Sequence, residues 1–286
     1  MLYSGKDLRK LIIPLIIEQI LAIAVGMADT IMVSAAGEAA VSGVSLVDTV
    51  NILLINVFSA LATGGAVVSG HFLGKKKRED ACKSAWQILL FATLLAFVIS
   101  VIFITAHDPL LRLMFGKIED DVMKASKTYL IITTYSFVAL AIYNSCAALF
   151  RAMNESKVTM WVSLLMNVIN VVGNAICIYG LYMGVAGVAI PTTISRYVAA
   201  VVIFLLMFQT KKEINLCGQI TWKFNGSLIK KILYIAIPNG LENSMFQLGK
   251  ILVMSAVATM LQMRLRAQLR TGITCRALPS TLRSYR

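Results

Sequence analysis

Apolar residues fall into seven long blocks, each separated from the next by a short polar or charged stretch. Each block is long enough for a membrane span, since a helix of about 20 residues crosses the hydrocarbon core of a bilayer. Only helices and closed barrels satisfy every backbone hydrogen bond in lipid, and blocks of this length favour helices. We therefore predict an all-α integral membrane protein with spans at residues 11–33, 47–72, 84–106, 129–150, 158–179, 185–208 and 232–260.

Composition supports a membrane protein and argues against a soluble one. Hydrophobic residues make up 58% of the chain and charged residues 14%, against about 45–50% and about 25% in soluble domains. The net charge of +13 would suit nucleic acid, but most lysines and arginines lie in short loops between apolar blocks. We expect a lipid bilayer as partner and no nucleic acid. The five cysteines form no CxxC pair, so neither a disulfide nor a metal site is predicted.

The basic residues of the loops predict the orientation in the membrane. Fifteen lysines and arginines lie before span 1 and after spans 2, 4 and 6, and four lie in the loops on the other side. Cytoplasmic loops carry the excess of lysine and arginine. The sequence therefore predicts a multi-pass protein of the cell (plasma) membrane with a cytoplasmic N-terminus.

Two parts of the chain share a short pattern. Basic residues, an apolar stretch and Pro-x-x-x-Glu occur at residues 9–18 and again at residues 230–242. Transporters are often built from repeats that face each other across the substrate site, so spans 1 and 7 are interpreted as equivalent first helices of two repeats. The predicted domains are a six-helix lobe at 1–210, a cytoplasmic inter-lobe linker at 211–231, the first helix of a second lobe at 232–260 and a basic tail at 261–286.

The tail at 261–286 differs in composition from the rest of the chain. It contains six arginines, no lysine and no acidic residue. A basic cytoplasmic tail is one interpretation, but span 7 should end on the outer side, where such a tail would violate the positive-inside pattern. The hypothesis is therefore a frameshift or aberrant end after about residue 260, which predicts a chain truncated after the first helix of its second lobe.

Two carboxyl groups lie within span 1. Ionisable side chains at a helix centre cost about 2.5–3.5 kcal/mol on insertion scales, and they are functional candidates by default. Glu18 and Asp29 are eleven residues apart, which places them within roughly 20° on a helical wheel and about 16 Å apart along the axis. This face is typical of a water-filled cavity. The alternative for Asp29 is simple solvation at the outer interface.

Span 5 carries three asparagines on one helix face, Asn167, Asn170 and Asn174. An amide in lipid is costly unless it finds partners. One interpretation is hydrogen bonding between packed helices. The functional interpretation is a polar wall around an ion or proton site beside Asp29.

A second polar stripe, on span 7, could line the same cavity from the other lobe. Its residues are Asn239, Glu242, Asn243, Gln247 and Lys250. Arg196 lies in the middle of span 6 and needs a counter-ion that the sequence does not identify. No Walker motif occurs, so we expect no ATP-driven transport by this chain.

Four stretches, in this order, are similar to the multidrug and toxic compound extrusion (MATE) family. They are residues 13–33 with Asp29, residues 73–77, residues 149–154, which resemble the family's RAxGN turn, and residues 167–189. Together they extend the resemblance over residues 5–260.

The resemblance implies twelve helices in two six-helix lobes arranged as an inverted V, with a central cavity that opens alternately to each side. It also implies export of organic cations in exchange for protons or sodium, without a bound cofactor. Asp29 matches the acid of the family's first helix, and Asn170 matches a polar position of the fifth. Asn174 stands where many members carry Asp, which leaves this lobe one carboxylate fewer. Glu242 lies on the seventh helix, where other members also use an acid.

The leading hypothesis is therefore a cation-coupled exporter of organic cations and drugs. A lipid-linked glycan flippase of related architecture is the alternative, although it would require a more cationic cavity than Arg196 and Lys250 provide. A non-transporting membrane partner is a third hypothesis. An enzyme is not predicted, because no cluster of His, Asp or Ser lies near one interface. A single-lobe chain would be inactive, or would act through self-association with a second copy.

Overall fold

The computed structural model describes residues 5–115, 119–208, 214, 224–247 and 249, with side chains from Ile12 onward. These residues are helical apart from short turns. The helices are α1 (Gly5–Ser34), α2 (Glu38–Gly74), α3 (Arg78–Thr105), α4 (His107–Phe115), α5 (Asp120–Thr134), α6 (Phe137–Ala152), α7 (Ser156–Ala175), extended by a π-helical turn (Ile176–Gly180), α8 (Ala186–Leu206) and α9 (226–247). The chain forms two compact units, Met1–Gly240 and Leu241–Arg286.

Within the described residues, five helical segments are long and apolar enough to cross a membrane by themselves. They are Ile12–Ser34, Glu38–Gly74, Arg78–Thr105, Ser156–Gly180 and Ala186–Leu206. They coincide with predicted spans 1, 2, 3, 5 and 6, so the prediction of an all-helical membrane fold is confirmed. Helix α2 begins nine residues before the predicted span at 47, because the small residues after Gly37 continue the helix.

The predicted fourth span, 129–150, is not one straight helix. It consists of α5 and α6, which meet at a bend of 51°. The break has a local cause. The hydroxyls of Thr133 and Thr134 donate to backbone carbonyls one turn earlier, and Ser136 Oγ donates to the Thr133 carbonyl at 2.7 Å. Such side-chain bonds compete with the helical ladder and bend helices.

Side chains of neighbouring helices satisfy the carbonyls at this break. Thr193 Oγ1 donates to the Ile132 carbonyl at 3.1 Å, Ser100 Oγ to Thr134 at 3.3 Å and Tyr197 hydroxyl to Tyr135 at 2.8 Å. An unpaired carbonyl at membrane depth would be costly. Helices α3 and α8 therefore hold the break in place.

The short helix α4 was not predicted. It is amphipathic and joins α3 to α5 at one end of the bundle. Lys127 of α5 donates to Asp108 Oδ2 of α4 at 3.1 Å, and this bond lowers the pKa of the exposed Asp108 carboxyl below its ordinary value.

Four apolar clusters form the interior of the first unit within the described residues, and two of them are much larger than the others. The larger one packs α2, α3, α6 and α8 together around residues such as Ile88, Leu149 and Ile203. The second joins the end of α1 to the start of α2, α5 and α8, and it includes Val33, Val44, Tyr129 and Val188. Large apolar side chains of α1, such as Ile16, Ile20 and Ile23, are exposed on the outside of the bundle.

The seventh predicted span, 232–260, is described only in part. Residues 232–247 belong to α9, while 250–260 and the whole predicted tail at 261–286 lie outside the described residues. The predicted domain boundaries at 210, 231 and 260 therefore stay predictions.

Glycine allows α2 and α3 to pack closely, and this gives a first prediction. A Cβ at Gly65 would lie 2.5 Å from Ile88 Cγ1 and 2.6 Å from its Cβ, whereas a Cβ at Gly74 would meet nothing within 4 Å. We expect Gly65→Ala to lower the free energy of unfolding by about 1–3 kcal/mol, because the two helices must separate. Gly74→Ala should change it by less than about 1 kcal/mol. Unfolding of the two variants in mixed detergent micelles measures the difference; equal stabilities would contradict the packing.

Candidate functional site

A carboxylate and two amides meet between α1 and α7. Asn174 Nδ2 donates to Asp29 Oδ1 at 2.8 Å and to Asn170 Oδ1 at 3.3 Å. Asn174 and Asn170 are buried, and Asp29 is half-buried. The predicted neighbourhood of Asp29 and the asparagine face is therefore present.

The hydrogen bonds continue from this pair of amides into α8. Asn170 Nδ2 donates to Thr192 Oγ1 at 2.9 Å, and Thr192 Oγ1 donates to the Val188 carbonyl at 2.8 Å. Asn174 Oδ1 is buried and has no hydrogen-bond partner within the described part of the chain. Asn174 thus donates an N–H to Asp29, while its Oδ1 is available as an acceptor for a ligand.

A close contact of α7 with α8 sets this geometry. A Cβ at Gly173 would lie 2.7 Å from Pro191 Cβ. Glycine thereby allows the backbones to approach beside the bond between Asn170 and Thr192. Any larger residue at 173 would push Asn170 and Thr192 apart.

Asp48 of α2 is a second carboxylate that the sequence prediction missed. Tyr129 hydroxyl of α5 donates to Asp48 Oδ1 at 3.0 Å, and Asn51 Nδ2 donates to the same oxygen at 3.3 Å. Asp48 lies one residue inside predicted span 2, where it resembled an interfacial residue. One feature of the sequence could have identified Asp48 as a site residue. Asp48 and Asn51 are polar, lie three residues apart and stand at the edge of an apolar block.

The two aspartates line one small cavity. It has a volume of about 100 Å³, and its walls also include Gly26, Ser45 and Tyr129. A water needs only about 10–15 Å³ of such space, so the cavity has room for a small cation with water. Carboxylates from α1 and α2 therefore face a common polar space within an apolar bundle.

Arg196 of α8 is the cation of this cluster. Its Nη1 donates to Ser136 Oγ at 2.8 Å, at the break between α5 and α6. The charges of Asp48 and Asp29 reach its guanidinium through space, but neither carboxylate forms an ion pair with Arg196 within 4.0 Å in the described part of the chain. The three groups together carry a net charge of −1 when all are ionised.

Glu18 lies elsewhere. Arg151 Nη2 of α6 donates to Glu18 Oε1 at 2.7 Å, and the Glu18 side chain is 13% exposed. The two carboxyls of α1 share a predicted helix face, yet they meet different helices, so Glu18 does not join Asp29. This geometry favours a structural ion pair for Glu18.

The remaining predicted site residues are spread through the chain. Asn167 is half-buried, and its Nδ2 has no partner within the described residues. Asn239 lies in the first unit and is not among the residues described as lining the aspartate cavity. Glu242 and Asn243 belong to the second unit. The structure therefore brings together Asp29, Asn170 and Asn174 from the predicted set.

The Glu18–Arg151 pair gives a second prediction. We expect Glu18→Gln and Arg151→Gln each to destabilise the fold, and the double variant to lose less than the sum. A coupling free energy of about 0.5–3 kcal/mol is expected for a contact in a half-buried pair. Unfolding in mixed micelles of the four proteins measures it. Strict additivity would show that the ion pair contributes nothing.

Comparison with known proteins supports this architecture. YisQ, an uncharacterized transporter of Bacillus subtilis, is 28% identical over 252 residues, which cover 86% of this chain and 54% of the relative. A probable multidrug resistance protein, NorM of Thermotoga maritima, is 26% identical over 248 residues, 85% of this chain and 53% of the relative. The chain spans about half the length of the curated relatives it matches.

A solved structure and a family match complete the comparison. The outward-facing structure of a multidrug resistance MATE family transporter of the MOP superfamily has a TM-score of 0.78 at 23% identity, over 86% of this chain and 54% of that one. This likeness shows a common fold. Residues 14–176 match the MatE family. The match covers more than half of the 286 residues, and the chain belongs to the MatE family.

Proposed function

We propose that this chain forms the cation-coupled half of a multidrug exporter, which moves organic cations out of the cell in exchange for protons or sodium ions. The observation that carries the proposal is the pair of carboxylates, Asp29 and Asp48, around one cavity in an apolar bundle. Ionisable groups at membrane depth mark ion and proton pathways. The names of the relatives, multidrug resistance proteins and MATE transporters, support drugs as the cargo.

The atoms around the cavity suit a small hard cation. The cavity walls supply the carboxylates of Asp29 and Asp48 and the Tyr129 hydroxyl. Behind these walls, Asn174 donates to Asp29 and Asn51 donates to Asp48, and the buried Oδ1 of each amide has no hydrogen-bond partner within the described residues. Hard cations prefer oxygen ligands of this kind. A proton would instead be held on one carboxylate. Both coupling ions are compatible with this set, and no bound cofactor is proposed.

Charge balance limits the cluster to one monovalent cation. Two carboxylates and the Arg196 guanidinium leave one negative charge uncompensated. In surroundings of low polarity, an uncompensated charge is costly. We propose that one proton or one sodium ion restores neutrality. The family position at Asn174 lacks its usual carboxylate here, and Asp48 supplies the second acid from α2 instead.

Competition for this negative charge would couple the two fluxes. A drug cation and the coupling ion each favour ionised carboxylates, so binding one lowers the affinity for the other. Such coupling is a reciprocal free energy between two ligands. The break between α5 and α6 contacts Arg196 through Ser136, which offers a route from the state of the cluster to the shape of the bundle.

We propose that the exporting unit has two lobes. The relatives are about twice as long as the stretch that this chain matches, and a cavity between lobes requires both. The second lobe would come from a longer protein or from a second copy of this chain. The excess of basic residues on one set of loops supports a cytoplasmic N-terminus in the plasma membrane. The net negative cluster argues against the glycan flippase, and we assign no enzymatic role.

Ethidium efflux from cells tests the proposal. One strain would express the 286-residue chain, and a second would express residues 1–240 followed by the second half of the B. subtilis relative. We expect energy-dependent efflux of ethidium from the second strain. The first strain should export ethidium only if two copies of the 286-residue chain associate. Absence of efflux from both strains, with both proteins present in the membrane at normal levels, would contradict the proposal.

A further inference from the structure

A groove separate from the aspartate cavity lies between the C-terminal end of α2 and the start of α9, within the first compact unit. Its volume is about 620 Å³. Its apolar walls come from Val67, Val68 and Phe72 of α2 and from Tyr234 and Ile235 of α9. Tyr234 is 82% exposed along this groove, so an apolar surface faces the surroundings of the bundle.

The open end of the groove is strongly basic. Lys75, Lys230 and Lys231 line it together with His71, and all four side chains are exposed. No acidic residue lines the groove among the residues described, and the ion pairs found in the described part of the chain do not include these lysines. Three lysines therefore converge on one space, and no carboxylate of the described part of the chain neutralises them.

The basic and apolar parts follow the same order on both helices. Lys75 lies about two turns after Val67 near the end of α2, and Lys230 and Lys231 lie about one turn before Tyr234 near the start of α9. The two helices thus present their lysines at one level and their apolar residues at the next. A ligand that fits this order has an anionic head and an apolar tail.

We propose that this groove binds an anionic phospholipid. The phosphate of its headgroup would contact Lys75, Lys230 and Lys231, while an acyl chain lies along Val67, Phe72 and Tyr234. Basic pockets between membrane helices hold anionic headgroups in this manner. A soluble phosphate would leave the apolar walls exposed, and a neutral lipid would leave three lysines unpaired.

Lipid binding to the purified 286-residue chain tests the proposal. The probes are phosphatidylglycerol and phosphatidylcholine with identical acyl chains, added to the protein in neutral detergent and counted by native mass spectrometry. Each lysine near a headgroup contributes about fivefold in affinity, so we expect about a hundredfold preference for phosphatidylglycerol. Glycerol 3-phosphate at the same concentration should not displace the lipid.

Three triple variants separate the groove from general surface charge. Replacing Lys75, Lys230 and Lys231 with Gln should remove the preference, and replacing them with Arg should retain it. The control replaces Lys76, Lys77 and Lys157 with Gln, an equal loss of charge at exposed lysines that do not line the groove; it should retain the preference. Circular dichroism confirms that each variant is folded. The proposal would be overturned if both Gln variants lost the preference for phosphatidylglycerol equally, or if glycerol 3-phosphate displaced the bound lipid.

Discussion

The variant Asp29→Asn is expected to lose cation-coupled efflux while it still folds and reaches the membrane. Asn keeps the size of the side chain but removes the negative charge that receives the Asn174 N–H. With Asn at 29, the remaining Asp48 is balanced by Arg196, so affinity for the coupling ion should fall about tenfold or more. Ethidium efflux of the two-lobed protein, with and without a pH or sodium gradient, measures the effect.

A matched control distinguishes this loss from a general effect of removing an acid. Asp121 is an exposed aspartate whose side chain is 81% accessible and pairs only loosely, at 3.5 Å, with Lys124. Asp121→Asn makes the same chemical change far from the cluster and should leave efflux unchanged. If the Asp29→Asn protein retained the gradient dependence of the parent, Asp29 would not be the coupling residue.

The charges of Asp48 and Arg196 are expected to set how many cations the site holds. Asp48→Asn leaves Asp29 balanced by Arg196, so the cluster becomes neutral and ion affinity should fall about tenfold or more. Arg196→Gln leaves two carboxylates uncompensated and should let the site take a second proton or ion. It should also destabilise the fold, because two half-buried carboxylates keep their hydrogen bonds but lose the nearby positive charge.

The double variant Asp48→Asn/Arg196→Gln restores a net charge of −1. We expect it to bind one cation again, to within about tenfold of the parent affinity, and to recover stability. A purely structural role of Asp48 and Arg196 would not give such recovery. Sodium titration of the purified parent, the two single variants and the double variant, with the released protons recorded, measures the cation affinity and the number of cations bound. If the double variant bound the cation no more tightly than the worse of the two single variants, the charge balance would be refuted.

The sequence predicted the helices and part of the site because both follow from short-range patterns. Apolar blocks locate spans through the thickness of the bilayer, and the three-and-four spacing of Asn167, Asn170 and Asn174 puts them on one face. Asp29 was identifiable since a carboxylate in an apolar block is rare. The hydropathy pattern does not identify the partners of Asp29, because these depend on how the helices pack.

Three features depended on that packing. Asp48 lies near the edge of its apolar block, and only the contact with Tyr129 of α5 distinguishes it from an interfacial residue. Glu18 shared a helix face with Asp29, but the position of Arg151 on α6 decided its partner. The break in the fourth span depends on hydrogen bonds from its own hydroxyls and on side chains of α3 and α8 that donate to its free carbonyls. None of these bonds changes the hydropathy of residues 129–150.

The proposed function requires that the cluster of Asp29, Asp48 and Arg196 binds one monovalent cation. The most direct measurement is the number of cations bound per purified chain, from equilibrium binding of radioactive sodium combined with proton uptake in weakly buffered solution. We expect one cation per chain, sodium or proton, which disappears in Asp29→Asn and persists in Asp121→Asn. Finding no Asp29-dependent cation, or finding two cations per chain with Arg196 intact, would refute this stoichiometry.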